Sequence, residues 1–206
     1  MGRLSSSPTI QTLALMSVVT LLYWTLEAVV SFFALSAAPL FALGPTFPAT
    51  PWTLVTSVYT HAGPAHFVGN AVTLLFVGLL LERSTTTARY HTFFLVTGIL
   101  AGLTQVMLSD SSVVGASGAI FALIGYVVTA NPISEVAFSR LRLTRGVQLV
   151  VFALLALLVT ALTGAPGVAL AAHFAGFLLG LVAGRLHVLE PSSPRSERSR
   201  TEEYRV

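Results

Sequence analysis

The chain has 206 residues, of which 54% are hydrophobic and only 9% are charged, and its mean hydropathy is +0.83. Soluble domains carry about 25% charged residues, so these values exclude a soluble fold, which could not cover its surface. The chain contains no cysteine, which excludes disulfide scaffolds, thiolate metal sites and cysteine nucleophiles. The composition therefore predicts a protein that spends most of its length inside a membrane.

The hydropathy pattern predicts an all-α membrane protein that crosses the bilayer six times. Each apolar run has about the 17 to 25 residues that a spanning helix needs, and turn residues such as Asn131-Pro132 separate neighbouring runs. The predicted spans are 10–36, 65–82, 91–108, 113–130, 146–163 and 167–187.

The basic residues are all arginines, and their positions indicate the orientation of the chain. With a cytoplasmic N-terminus, ten of the eleven arginines lie in the segments that face the cytoplasm, and Arg185 lies at the cytoplasmic end of the last span. The loops on the opposite side contain no arginine. By the positive-inside rule, both termini are predicted to be cytoplasmic. Scattered in this way, the arginines do not form a nucleic-acid-binding patch.

The same pattern divides the chain into three segments. Residues 1–9 are expected to be a cytoplasmic N-terminal segment, and residues 10–187 a single six-helix domain. Residues 188–206 have mixed charge and no apolar periodicity, which is typical of a disordered cytoplasmic tail. No internal repeat is found.

Polar side chains inside spans are costly and usually functional. Counted from the outer ends of the second, fourth and sixth spans, Asn70 lies about 9 Å deep, Ser117 about 6 Å and His173 about 9 Å. His66 precedes Asn70 by four residues, so the two share one helix face. These residues are predicted to form one polar layer below the outer surface.

Small residues at helical spacing predict how this layer is assembled. One such stripe lies in the fourth span and another in the sixth, and stripes of this kind let spanning helices pack closely. If they face each other, Ser117 and His173 come within hydrogen-bonding reach. The stripe residues are Gly118, Ala122 and Gly125 in the fourth span and Gly176, Gly180 and Gly184 in the sixth.

A serine beside a histidine is the arrangement required for nucleophilic catalysis, because a hydroxyl attacks well only when a base removes its proton. Acyl transfer also needs hydrogen-bond donors for the oxyanion. Asn70, His66 and the backbone N–H of Ser117 are candidates for that role. Since only Asp110, in an outer loop, could orient His173, a Ser-His dyad is favoured over a triad.

The residues resemble those of the rhomboid family of intramembrane serine proteases over about 10–187. Residues 61–70 match the family pattern H-x4-H-x3-N, residues 115–118 match G-x-S-G, and residues 172–180 match A-H-x2-G-x3-G. The resemblance implies that Ser117 is the nucleophile, that His173 is the base and that His66 and Asn70 line the oxyanion site. It also implies a structural role for Glu82, and it places Gly115, Gly118, Phe121 and Gly176 near the site.

Two positions depart from the family pattern. The family often has arginine after the tryptophan of its first outer loop, whereas Thr53 follows Trp52 here. Many members have tyrosine four residues after the nucleophile, and this chain has Phe121, which retains the aromatic ring and loses the hydroxyl. Neither departure removes a catalytic group.

Each candidate residue also has a structural interpretation. Ser117 suits a helix crossing, His66 suits a helix cap and Asn70 can hydrogen-bond between helices. A noncatalytic rhomboid-like protein that binds transmembrane helices, or a small transporter, is the alternative function. For the protease, we expect a multi-pass protein of the cell membrane whose site opens to the extracytoplasmic side. The expected partners are transmembrane substrates and lipid, with no metal or other cofactor and no nucleic acid, and the oligomeric state stays open.

Overall fold

The computed structural model describes residues 6–141, 143–164 and 167–190. Within these ranges, nine α-helices and one 3-10 turn, Glu82–Ser84, account for the regular structure apart from a single isolated bridge between Leu43 and Val113. The helices are α1 Pro8–Ser31, α2 Ala38–Phe41, α3 Thr53–Tyr59, α4 Pro64–Leu81, α5 Thr87–Ser109, α6 Ser117–Thr129, α7 Pro132–Leu141, α8 Arg145–Leu162 and α9 Leu170–Arg185.

Four helices are long and apolar enough to cross a membrane, namely α1, α4 with its 3-10 turn, α5 and α8. The other two apolar helices, α6 and α9, have 13 and 16 residues. The predicted runs start at 113 and 167, but residues 113–116 and 167–169 are not helical. The two helices therefore begin at Ser117 and Leu170. The all-helical, multi-pass fold is therefore confirmed, whereas length alone does not assign six spans.

The first helix ends at Ser31, five residues before the predicted end of its apolar run at 36. Ala34 takes a left-handed conformation with φ 59°, which turns the chain. The carboxylate of Glu27 then accepts a hydrogen bond from the Ala37 backbone N–H at 2.7 Å. Glu27 thus holds the segment between α1 and α2.

Glu82 connects the end of α4 to the start of α1. Its carboxylate accepts hydrogen bonds from the Ser7 hydroxyl at 2.6 Å and from the Thr9 backbone N–H at 3.1 Å. A carboxylate at a helix N-terminus satisfies free N–H groups and complements the helix dipole.

Thr53, which stands where the family often has arginine, is the first residue of α3 and is fully buried. Its hydroxyl donates to the Thr50 carbonyl at 2.7 Å.

Residues 188–190 pack against the bundle. The Leu189 side chain is 1% exposed, and its backbone N–H donates to the Tyr126 hydroxyl at 3.2 Å. The Arg89 guanidinium donates to the carbonyls of Val188 and Glu190 at 3.0 and 2.7 Å. These three residues therefore belong with the bundle rather than with the predicted disordered tail, whose remainder, 191–206, lies outside the described ranges.

Helices α6 and α9 cross with their backbones in contact, and the two glycine stripes face each other there. A β-carbon on Gly176 would overlap the Gly118 carbonyl oxygen, and one on Gly180 would overlap that of Ala122. In the other direction, a β-carbon on Gly125 would overlap the Phe177 carbonyl. Such close approach is possible only without side chains, and it brings together the N-terminal ends of the two helices.

This crossing predicts a steep cost for the smallest added side chain. We expect Gly180→Ala to lower the thermal unfolding midpoint in detergent by about 3–10 °C, the equivalent of an overpacking cost of about 1–3 kcal/mol. Gly146→Ala is the matched control, because nothing lies within 4 Å of a β-carbon on Gly146 in α8, and it should leave the midpoint unchanged or raise it slightly. Equal midpoints for the two variants would contradict the close crossing.

Candidate active site

A cavity of about 1240 Å³ lies between α4 and α8, and residues of α6 and α9 also line it. Its lining includes His66 and Asn70 from α4, Ser117 from α6 and His173 from α9. The structure thus brings the four sequence-predicted polar residues into one cavity. Much of the remaining wall is apolar, and Leu155 and Val159 of α8 contribute to it.

Ser117 is the first residue of α6 and follows a segment with an unusual backbone. Gly115 has φ +126°, which side-chain-bearing residues rarely adopt. A β-carbon there would also lie 2.8 Å from the ring of His66. Glycine is therefore needed twice at this position, once for the turn that presents Ser117 and once for the close approach of the imidazole.

The segment before Ser117 is held by the connection between α1 and α4. Val113 pairs with Leu43 in an antiparallel bridge, and the Gly115 N–H donates to the Ser57 carbonyl at 2.8 Å. The first hydrogen bond of α6 runs from the Ile120 N–H to the Ala116 carbonyl. The N–H groups of the residues from Ser117 to Ala119 therefore precede the helical bonding pattern and form the positive end of α6.

His61 connects this segment to α1 and is fully buried. The Thr20 hydroxyl donates to the Tyr59 carbonyl at 3.0 Å, so at its 3.1 Å contact with His61 it accepts the Nδ1 proton. Nε2 of His61 is then the acceptor for the Ala116 N–H at 3.4 Å. His61 is thus a neutral link between α1 and the residue before the serine.

His173 lies in the first turn of α9 and is 8% exposed. Its ring stacks on Phe121, with ring centroids 4.2 Å apart and planes inclined by 25°. Nδ1 is buried without a hydrogen-bond partner among the described residues. Because Nδ1 is enclosed, any proton that this imidazole exchanges with the cavity has to pass through Nε2.

Gln105 of α5 positions the helix that carries His173. Its side-chain oxygen accepts a hydrogen bond from the Ala172 N–H at 3.2 Å, and its amide donates to the Ser109 hydroxyl at 2.9 Å. Gln105 also lines the cavity. Since Ala172 has a first-turn N–H without a helical partner, this bond caps α9 directly before His173.

Asn70 lies one turn below His66 on the same face of α4, and it is 8% exposed. Its amide donates to the His66 carbonyl at 3.0 Å. That bond uses one of the two amide hydrogens, and the side chain borders the cavity. His66 is half-buried, and its ring lies 5.0 Å from that of His61, edge to face.

Sequence reasoning missed two contributors to this geometry. The sequence does not indicate that Thr20 contacts His61, because threonines in spanning helices usually hydrogen-bond to their own backbone. Trp24, whose indole N–H donates to the His61 carbonyl at 2.8 Å, could have been suspected only as an aromatic residue near a membrane surface. Both residues act through His61.

Comparisons with known proteins agree with this architecture. A family model described as the rhomboid domain matches residues 48–189. The chain is 30% identical over 141 residues to RHOMBOID-like protein 4 of Arabidopsis thaliana. The matched region is 68% of this chain and 35% of that protein. It is also 30% identical over 141 residues to RHOMBOID-like protein 7 of the same plant, and the matched region is 68% of this chain and 44% of that protein.

A bacterial relative matches over a shorter stretch. The Rhomboid protease GluP of Bacillus subtilis (strain 168) is 35% identical over 83 residues, which is 39% of this chain and 16% of that protein. The chain thus spans less than half of the length of each of these relatives. The resemblance drawn from the motifs is confirmed at the level of the family.

The buried link at His61 predicts a pH dependence of stability. Burial lowers the pKa of His61 from 6.5 to about 4, so the unfolded chain binds this proton at a higher pH than the folded protein does. The free energy of unfolding should therefore fall as the pH drops from 6.5 to 4 and level off below pH 4. The protonation of His61 accounts for up to about 3 kcal/mol of this decrease.

The difference between wild type and His61→Gln isolates this contribution. Unfolding midpoints measured between pH 7 and pH 4 should decline less steeply in the variant, although the variant is less stable at neutral pH. Parallel pH profiles for the two proteins would contradict the neutral, buried state of His61.

Proposed function

The chain belongs to the rhomboid family, and from this premise we propose that it is an intramembrane serine endopeptidase. The observation that carries the proposal is that Ser117 and His173 line one cavity within a bundle of membrane-capable helices. The substrates would be membrane proteins, cleaved in or near a transmembrane segment. The presence of both residues disfavours a noncatalytic, helix-binding role.

Acylation begins when Nε2 of His173 removes the hydroxyl proton of Ser117. The Ser117 oxygen attacks the scissile carbonyl, and the carbonyl π electrons move to its oxygen. Collapse of this intermediate breaks the C–N bond, and His173 delivers the proton to the departing amine. Water then attacks the acyl-enzyme with His173 again as the base, which releases the acid and regenerates the serine.

The oxyanion would be stabilised from two directions. The positive end of α6 begins at Ser117 itself, and its N–H groups favour negative charge at that point. Asn70 and His66 border the same cavity from α4 and can donate side-chain N–H groups. Donors held in place before the reaction are worth more than mobile water, because they need no reorganisation.

A dyad rather than a triad suits the surroundings of His173. Its Nδ1 meets no carboxylate among the described residues, and Asp110 is exposed at the end of α5. The stacked ring of Phe121 would limit rotation of the imidazole. In a triad, the third residue helps to hold the imidazole in its orientation. The absent tyrosine hydroxyl would not be required for this stacking.

We further propose that all six apolar helices cross the membrane, including the short α6 and α9. Non-helical backbone at membrane depth is tolerated where it lines a water-filled cavity, and the segments before Ser117 and Leu170 border such a cavity. With the arginines on the cytoplasmic side, both termini are cytoplasmic, the cavity admits water from the extracytoplasmic face and the protein resides in the cell membrane.

A substrate helix would enter sideways between α4 and α8. The cavity lies between these two helices. Helix α8 packs mainly on α9, and α4 packs mainly on α1 and α6, so the α4 and α8 walls can separate without breaking the α6–α9 crossing. Leu155 and Val159 of α8 would narrow the entrance.

The proposed dyad predicts loss of cleavage without loss of folding. Purified protein incubated with a model transmembrane substrate should cleave it, whereas Ser117→Ala and His173→Ala should each lower the rate by at least about 10³-fold. Ser112→Ala is the matched control, since Ser112 lines the same cavity, and it should retain activity. Equal rates for all four proteins would refute the mechanism.

Lateral entry predicts that trimming the α8 wall accelerates only the cleavage of membrane substrates. Val159→Ala should raise the rate on a transmembrane substrate by about fivefold, as expected for removing about 1 kcal/mol from an entry barrier. A short water-soluble peptide should be cleaved at an unchanged rate. Leu154→Ala is the control, because Leu154 points outward with 61% exposure, and an equal gain in that variant would contradict entry through this gap.

A further inference from the structure

The chain that follows α9 forms a short strap, residues 186–190, at the end of α9 that lies away from the proposed dyad. Leu189 is the buried residue of this strap, with 1% of its side chain exposed, whereas the Leu186 side chain is 69% exposed. The catalytic proposal assigns the strap no role. Its contacts nevertheless connect α9, which carries His173, to α6, which carries Ser117.

Backbone hydrogen bonds attach the strap firmly to α9. His187 takes a left-handed conformation with φ 54°, its N–H donates to the Gly184 carbonyl at 3.1 Å, and the Val188 N–H donates to the Ala183 carbonyl at 3.1 Å. These two bonds are those of a Schellman motif, in which a left-handed residue ends a helix. The Glu190 N–H then donates to the His187 carbonyl at 3.0 Å. The strap therefore moves with α9 as one body.

The strap is also tied to two neighbouring helices. The Leu189 N–H donates to the hydroxyl of Tyr126, a buried residue in the last turn of α6, at 3.2 Å. From α5, the Arg89 guanidinium donates to the carbonyls of Val188 and Glu190 at 3.0 and 2.7 Å. Any shift of α9 along its axis would strain these bonds, because the strap cannot stay behind.

Helices α6 and α9 lie side by side and run in the same direction, because the facing residues advance by four on both helices. The facing pairs are Gly118 with Gly176, Ala122 with Gly180 and Tyr126 with Gly184. These contacts set the distance between the two axes. The axial offset is held by hydrogen bonds that cross from one helix to the other. The Thr129 hydroxyl donates to the Leu181 carbonyl at 2.8 Å, and the bond from Leu189 to Tyr126 lies at the same end.

A helix that shifts along its axis as a rigid rod displaces all its residues by the same amount. An axial shift at the strap would therefore reach His173 undiminished. We propose that the strap fixes the axial position of α9 on α6, and that Tyr126 and Leu189 are thereby positioning residues for the Ser117–His173 dyad. This role rests on the proposed protease function. A misplacement of about 1 Å between reacting groups can lower a rate by about 100-fold.

The rate at which a fluorophosphonate labels Ser117 tests this role in the full-length protein. Leu189→Ala removes the buried anchor, and Tyr126→Phe removes the acceptor hydroxyl while keeping the ring. With excess probe, well below the unfolding midpoint of each variant, the rate constant should fall about tenfold in Leu189→Ala and about threefold in Tyr126→Phe. A purely structural role would lower the midpoint and leave the rate constant unchanged.

Two matched controls come from the same strap. Leu189→Met keeps an apolar side chain of similar volume at the buried position. Leu186→Ala removes the same atoms as Leu189→Ala, but from an exposed side chain. Both controls should be labelled at the wild-type rate.

Nuclear magnetic resonance of the histidines measures the axial position without catalysis. The chain has five histidines, and the resonance of His173 is identified by its loss in His173→Gln. The His173 ring of α9 stacks on the Phe121 ring of α6 with centroids 4.2 Å apart, so the ring current of Phe121 shifts this resonance. The resonance should move in Leu189→Ala and Tyr126→Phe and stay in place in both controls.

The two readouts separate this proposal from the proposed function. An unmoved His173 resonance in Leu189→Ala, or an unchanged labelling rate constant, would each overturn the positioning role. An equal loss of rate in Leu186→Ala would overturn it as well, because the buried anchor would then have no special effect. A wild-type protein that is not labelled at Ser117 would instead refute the protease function, and the His173 resonance would still decide whether the strap fixes the axial position.

Discussion

The backbone-to-backbone crossing of α6 and α9 is the constraint on which the site depends. Ser117 and His173 belong to helices separated along the chain by α7 and α8, and both lie in the first turn of their helix. Gly125, Gly176, Gly180 and Gly184 lack the β-carbons that would overlap atoms of the facing helix. Because the approach is close and there is little room to shift, the positions of the two first turns are coupled. In hydrocarbon, where apolar burial does not drive helix association, such van der Waals contact is the main source of specificity.

A second constraint follows from placing a polar site in an apolar bundle. The helix that carries Ser117 starts late, so its first N–H groups, which precede the helical bonding pattern, lie at the residue that lines the cavity. The chain leading to it has to satisfy its own polar groups, and it does so through the carbonyl of Ser57 and the imidazole of His61. The chain between α1 and α4 therefore supports the serine segment as well as joining the two helices. The link at His61 requires a neutral ring, which burial secures.

The sequence predicted the elements with a strong local signal. Apolar runs located the membrane helices, and glycines at four-residue spacing in α9 identified the crossing face, because each signal follows from helix geometry alone. The late start of α6 could not be predicted, since residues 113–116 are compatible with a helix. Their non-helical conformation is held by contacts with residues distant in sequence, namely Leu43, Ser57 and His61. The Gln105 cap on α9 and the Thr20 contact with His61 likewise join residues distant in sequence, where no local pattern exists. The apolar runs did not predict helix α7, because its ten residues lie between two stronger runs.

Whether Ser117 is a nucleophile activated by His173 can be measured by reaction with a fluorophosphonate followed by peptide mass spectrometry. The proposed dyad predicts a single adduct on the peptide that contains Ser117, because His173 would remove the serine proton and nearby N–H groups would bind the phosphoryl oxygen. The adduct should form far more slowly in the His173→Gln variant while that variant remains folded. An adduct on a different residue, or labelling of Ser117 at an unchanged rate without His173, would refute the Ser117–His173 dyad.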